Sequence, residues 1–380
     1  MKERKYGKKN VIKVDPLAYN LGLIGIGGIG KSTLAKEVCE KLVGEDGYLI
    51  FNLGFEDGID AIVGAVYEDI PDWDTFEEIT DYIIENKTTE YKDLKVIVYD
   101  TIDELFKIAE PEVIRLHNSN LTGNDKPAKS IKGCFGGFQG GEDKVIEIIQ
   151  ERIWALKKVG ISMFLIGHTK VKSKTDVNTG AEYDMLTTNM MFKYFNAMNT
   201  KLHILGVANI DREIEQVKTG KKIIVDKTKK EETKGKIKNE RRKITFRDDN
   251  FNIDSKSRFS DIINEISFDP DEFIIAITDA IKVEHDKQTD VKSIEETKVI
   301  QEKEKEKIIE KNNEKNKEEL NQKELEKIII SLKEYIKSNK TDSSKIKPLM
   351  TLAKELGYTN PTTVTDLEDA KKIWDLTLTK

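Results

Sequence analysis

The octapeptide Gly25-Ile26-Gly27-Gly28-Ile29-Gly30-Lys31-Ser32 restricts this chain more than any other feature, because it fits G-x-x-x-x-G-K-[ST] at every fixed position. Its context agrees. An apolar run, Leu21 to Ile26, leads into it, and Lys31 to Val43 leaves it with helical spacing that Gly44 closes. A strand, a glycine turn and a helix in that order let successive backbone N–H groups converge on an anion, and the helix N-terminus adds partial positive charge. Phosphate is therefore the expected ligand. Gly25, Gly27, Gly28, Ile29, Gly30, Lys31, Ser32 and Thr33 form the candidate cradle; Lys31 reaches the terminal phosphates and Ser32 offers a hydroxyl to Mg²⁺, which points to ATP with Mg²⁺.

The rest of the first half reads as alternating elements. Tyr48–Leu53, Leu94–Tyr99 and Ile161–Ile166 have strand character, while Ile59–Val66, a stretch after Pro71, Asp103–Leu116 and Glu142–Val159 have helical character. That alternation predicts an α/β core on a mainly parallel sheet. Asp100 directly follows Val96-Ile97-Val98-Tyr99, where a rigid strand delivers a carboxylate to the waters of a bound metal. Glu56, in Phe55-Glu56-Asp57-Gly58 just past the second strand, is the candidate for activating an attacking water. His168 and Lys170, in Gly167-His168-Thr169-Lys170, close the fourth strand at the same edge; His168 is placed to sense a terminal phosphate and Lys170 to neutralise transition-state charge.

Beyond Gly167 the pattern changes to a polar stretch reaching Thr188, a helix Met190–Met198, and strand-like Leu202–Ile210, Ile223–Asp226 and Ile244–Arg247, expected as antiparallel additions to the sheet. Residues 281–330 hold 12 Lys and 14 Asp/Glu with no Gly, Pro or aromatic residue, which predicts a solvated helical stalk. The tail regains apolar spacing, with Thr365 and Glu368 as a capping box for its last helix. The expected organisation is a basic segment 1–20, an ATPase core 21–268, a charged linker 269–330 and a helical module 331–380 able to recruit a protein partner. Asn339-Lys340-Thr341-Asp342 imitates the guanine-reading N-K-x-D pattern but follows a helix, so GTP specificity is not expected.

Charge distribution bears on partners. The net of −6 would disfavour nucleic acid if spread evenly, but residues 216–243 carry 12 Lys/Arg against four acids. The long segment from His117 to Gly141 combines Lys126, Lys129 and Lys132 with Phe135 and Phe138, and lysines with exposed aromatic rings suit single-stranded DNA. Two cysteines, Cys39 and Cys134, make no disulfide framework. With no apolar run near the ~18 residues that span a bilayer, and no apolar stretch in the basic start, a cytoplasmic protein is expected.

These motifs together resemble RecA-like phage ATPases, the family that includes the Sak-type single-strand annealing proteins. The resemblance covers about 21 to 268 and rests on Gly25 to Ser32, Phe55 to Asp60, Val96 to Thr101, Gly133 to Gly141 and Gly167 to Lys170. It implies a RecA-like P-loop NTPase core in which the catalytic glutamate follows the second core strand, as Glu56 does, and the metal-side aspartate is followed by Ser or Thr, as Asp100 is by Thr101. In AAA+ proteins a glutamate stands at that second place. The resemblance also implies DNA-binding loops at 117–141 and 171–188, assembly into a ring or filament as a homo-oligomer, and basic groups completing a neighbour's site, for which Lys256 and Arg258 are candidates. The alternative is a nucleotide-switched assembly protein that never touches DNA.

Overall fold

The computed structural model describes all residues except 1–9, 55–56, 122–125, 138, 177–178, 226–227, 249–252, 289–291, 340–341 and 379–380. The chain forms two compact units, Met1–Glu306 and Lys307–Lys380. The strands are β1 (Leu21–Gly25), β2 (Tyr48–Leu53), β3 (Tyr67–Ile70), β4 (Val96–Asp100), β5 (Ser162–Thr175), β6 (Glu182–Thr188), β7 (Ile204–Val225), β8 (Thr228–Thr245), β9 (Lys256–Ser257) and β10 (Glu265–Ser267). The helices are α1 (Lys31–Val43), α2 (Trp73–Glu85), α3 (Ile102–Ser119), α4 (Gly140–Lys158), α5 (Phe192–Asn199), α6 (Pro270–Asp286), α7 (Ile294–Ser338), α8 (Ser343–Glu355) and α9 (Leu367–Asp375).

The central sheet runs in the order β10-β8-β7-β1-β5-β4-β2-β3, parallel from β7 to β3, with β8 and β10 added antiparallel. Strands buried on both faces need continuous apolar runs, and β1 and β4 are buried at every position. One core cluster joins Leu23, Phe164, Ile166, Val98 and Ile50 on the sheet to Leu34, Val38 and Cys39 of α1 and to Phe273 and Ile277 of α6. Phe273 stacks on Phe164 at 5.9 Å and meets Phe246, just past β8, at 5.5 Å, so aromatic contacts hold α6 to the sheet. The mixed α/β architecture expected from the alternation is the one observed.

Four local expectations need correction. Ile59–Val66 is not a helix: a 3₁₀ turn over Asp57–Ala61 precedes Gly64, whose φ of 69° suits glycine, and Tyr48 Oη both donates to Gly64 O and accepts from Val66 N. Those bonds feed the chain into β3, an edge strand paired with Ile50–Leu53. The polar stretch after Gly167 is not a loop, because β5 continues to Thr175 and pairs with β6 from Thr169↔Thr188 to Thr175↔Glu182. The separate strand-like pieces at 202–247 are one long hairpin, β7 with β8, and the first of them, expected to be antiparallel, pairs parallel with β1, so that only β8 returns antiparallel. Finally, α9 is capped by Asp366, whose carboxylate accepts from Asp369 N, and not by Thr365.

In the first unit, α7 begins against the core: Gln301 accepts from Val14 N and donates to Ile12 O, and buried His285 and Thr297 lie 3.4 Å apart. In the second unit Leu332, Leu349, Ala353, Val364, Ala370 and Ile373 close a small helical core. No helix among the described residues is long and apolar enough to cross a membrane.

Candidate functional site

The carboxyl edge of the parallel strands brings together the glycine loop, Asp100 and His168 of the residues singled out by sequence. At the end of β1, Gly25 faces Ala208 of β7, where a Cβ would stand 2.9 Å from both Ala208 Cβ and Ala208 O; only glycine lets β1 and β7 approach so closely. Gly28 and Gly30 adopt φ of 73° and 104°, conformations that glycine reaches without strain, and the second lies in the left-handed region immediately before α1. Gly27 and Gly28 are exposed, and nothing lies within 4 Å of the place a Cβ would take on either. The loop is thus an open backbone concavity at a helix N-terminus. Ile29 beneath it is 2% exposed and anchors the turn in the core.

Lys31 is buried and donates Nζ to Gly25 O at 3.2 Å and Ile26 O at 3.0 Å, so its ammonium sits inside the curl of the loop. Ser32, the next residue, hydrogen-bonds the Asp100 carboxylate. Asp100 ends β4, is 6% exposed, and has its carboxyl raised from the usual range by burial, against the opposing influence of Ser32, Lys31 and His168. The first turn of α1 and the end of β4 are thereby brought to one point. A hydroxyl and a carboxylate side by side are the hard oxygen donors that Mg²⁺ takes when phosphates and water complete its shell, so these residues fit ATP with Mg²⁺. Among the described residues no group of three or more His, Cys, Asp or Glu is placed to hold a metal by protein ligands alone.

The sheet order sets the next neighbour. Because β5 lies between β1 and β4, its end falls between the loop and Asp100: Gly25 pairs with His168, and Asp100 with Ile166. His168 N donates to Asp103 Oδ2 at 3.1 Å, and His168 Nδ1 lies 3.7 Å from the same oxygen. Asp103 escaped the sequence reading; its only signal was an acid in the first turn of the helix after Asp100. Lys170 is exposed farther along β5, with Nζ 3.3 Å from Asn189 O. Glu56 lies outside the described residues. Two residues earlier in the sequence, Gly54 approaches Glu104, which pairs with Lys107 at 2.5 Å.

Two hairpin arms rise from this same edge, one on each side of β1, since β5 and β7 both run on past the residues that face Gly25. Opposed residues of an antiparallel pair share a face. On the β5–β6 arm one face therefore carries Lys170, Lys172 and Lys174 with Thr187, Met185 and Tyr183, while Asp184 and Glu182 fall on the other. The base of the β7–β8 arm is internally neutralised: Arg212 pairs with Glu240, Lys238 with Glu213, Arg241 with Glu265, and Lys243 with Asp211 and Glu265. In the other basic segment Lys126, Lys129 and Lys132 are exposed, Phe135 packs edge-on against His117 at 5.2 Å, and Phe138 is outside the described residues. Lys256 and Arg258 sit at the opposite edge, each donating to a carbonyl at the end of α5.

No curated protein matches the chain. A protein family described as an AAA domain matches residues 18–259, a span that contains the loop, Asp100, His168 and both arms. That span is more than half of the chain, and the protein belongs to the AAA domain family.

Proposed function

We propose that the protein is a RecA-like ATPase whose nucleotide state controls binding to single-stranded DNA, in phage-type recombination or replication. Family membership supports nucleotide hydrolysis in general terms. The observation that carries the reading is the convergence of Lys31, Ser32 and Asp100 on the mouth of an open glycine loop. In this reading Lys31 and Ser32 hold phosphate and Mg²⁺, Asp100 orders a metal-bound water, and Glu56 activates the attacking water, because Thr101 leaves no acid directly after Asp100. His168, tied to Asp103 beside the loop, reports the terminal phosphate, and Lys170 begins the lysine face that leads away from it. Strand and site are thus continuous: a change felt at His168 is two residues from a DNA-contacting lysine. A ring or filament, with Lys256 or Arg258 reaching a neighbour's site, belongs to the same proposal.

One observation favours a second reading, a nucleotide-switched assembly protein: at the base of the β7–β8 arm Lys238, Arg241 and Lys243 of the basic segment are engaged in ion pairs with Glu213, Asp211 and Glu265. ATP turnover measured with and without oligo-dT separates the two. Stimulation by DNA, abolished together with ATP binding in Lys31→Ala, supports the first; turnover indifferent to DNA, with no DNA binding at moderate salt, refutes it. Normal turnover in Lys31→Ala refutes the site itself.

A further inference from the structure

Two side chains that phosphate chemistry does not use touch the turn of the loop. Arg242, on β8, donates Nη1 to Ile29 O at 3.3 Å. Phe268, just past β10, holds its ring edge over Gly30, where a Cβ would stand 3.4 Å from Cε1 and 3.8 Å from Cζ. The pair is locked together, since Phe268 N donates to Arg242 O at 3.1 Å. Arg242 is exposed; Phe268 is half-buried, with its inner side against the core beside α1.

Their side of the loop is informative. Asp100 and His168 mark the terminal-phosphate end, and both lie on the β5–β4 side of β1. Arg242 and Phe268 approach across β7 and β8, on the opposite side. A triphosphate laid along the loop with its terminal phosphates at the metal-side acid sends its nucleoside the other way, toward this pair. Gly30 has no side chain to separate the ring from whatever lies over the loop. An aromatic ring at that end can stack on any purine, and a guanidinium next to it adds attraction to the base.

We propose that Phe268 is the stacking platform for the purine base of the bound nucleotide, seated against the loop by Arg242. This rests on the phosphate-site reading above, and the test separates the two. Binding of Mg-ATP and of Mg-tripolyphosphate, which lacks the base, is measured by calorimetry on the full chain. Phe268→Ala should weaken ATP by about tenfold and leave tripolyphosphate unchanged, and Phe268→Tyr should restore ATP affinity. Equal weakening of both ligands overturns the proposal, because it means the ring only packs the loop. An unchanged ATP affinity also overturns it. Lys31→Ala should abolish binding of both ligands; if it does not, or if wild-type protein binds neither, the phosphate site itself fails and the base platform with it. If Lys31→Ala behaves as expected and Phe268→Ala has no effect, only the platform fails.

Discussion

Replacing Asp100 by asparagine keeps the shape of the side chain and removes one charge, so it separates the folding role of this residue from the metal role proposed for it. In the folded protein Asp100 is 6% exposed and burial is the largest influence on its carboxyl, raising it above its ordinary value despite Ser32, Lys31 and His168. A carboxyl raised on folding disfavours the folded state at every pH above its folded value, and the cost disappears only below the unfolded value near 3.8. At neutral pH the cost is therefore present, and Asp100→Asn removes it while Lys31 keeps its bonds to Gly25 O and Ile26 O. Without nucleotide the variant should melt at the same temperature as wild type or higher. With nucleotide the order reverses. A ligand at a hundred times its dissociation constant stabilises by about 2.7 kcal/mol, which at about 2 °C per kcal/mol for a unit of this size raises the melting temperature by about 5 °C. In wild type that increment should need Mg²⁺; in Asp100→Asn, ATP with Mg²⁺ should shift melting no more than ATP with a chelator. The assay is thermal unfolding of both proteins without nucleotide, with ATP and Mg²⁺, and with ATP and a chelator. A variant several degrees less stable without ligand, or one that keeps the Mg²⁺-dependent increment, refutes the assignment.

Other outcomes follow from other parts of the fold. Phe273→Ala empties the contact between α6 and the sheet at a fully buried position, and should cost about 3–5 kcal/mol in chemical denaturation. His203 is lowered to about 4 by burial, then by Lys157 and Arg258, so it folds neutral; stability should fall as pH drops from about 6.5 toward 4, and His203→Asn should flatten that dependence in urea midpoints. Changing Lys170, Lys172 and Lys174 together to Ala should weaken oligo-dT binding and lower its log–log salt slope by about 2 in fluorescence anisotropy, whereas ATP affinity should hold.

Much of the site was legible because its chemistry is local. Gly25 to Ser32 is a contiguous octapeptide whose meaning depends on backbone freedom and one helix start, and Asp100 is announced by the four apolar residues before it. The residues around them were not legible for a physical reason. Asp103 reaches His168 across the gap between α3 and β5, Arg242 reaches Ile29 over more than two hundred residues of chain, and neither distance leaves a periodic trace. The β5–β6 arm was hidden in another way: its alternation of Lys with Val, Ser and Thr carries no apolar face, so only cross-strand pairing reveals it as a strand. In the β7–β8 arm a count of charges could not show which basic residues face acids across the hairpin, as Arg212 faces Glu240 and Lys238 faces Glu213.

The sequence by itself therefore determined that this is an α/β protein with a glycine loop of the phosphate-binding pattern between a strand and a helix and an acid closing a buried strand, since short-range backbone conformation and strand burial suffice for both. Tertiary structure decided which strand lies between them, that both arms leave from the same edge, and which side chains close on the loop. Those depend on the order of strands in the sheet, which is set by packing among residues far apart in the chain.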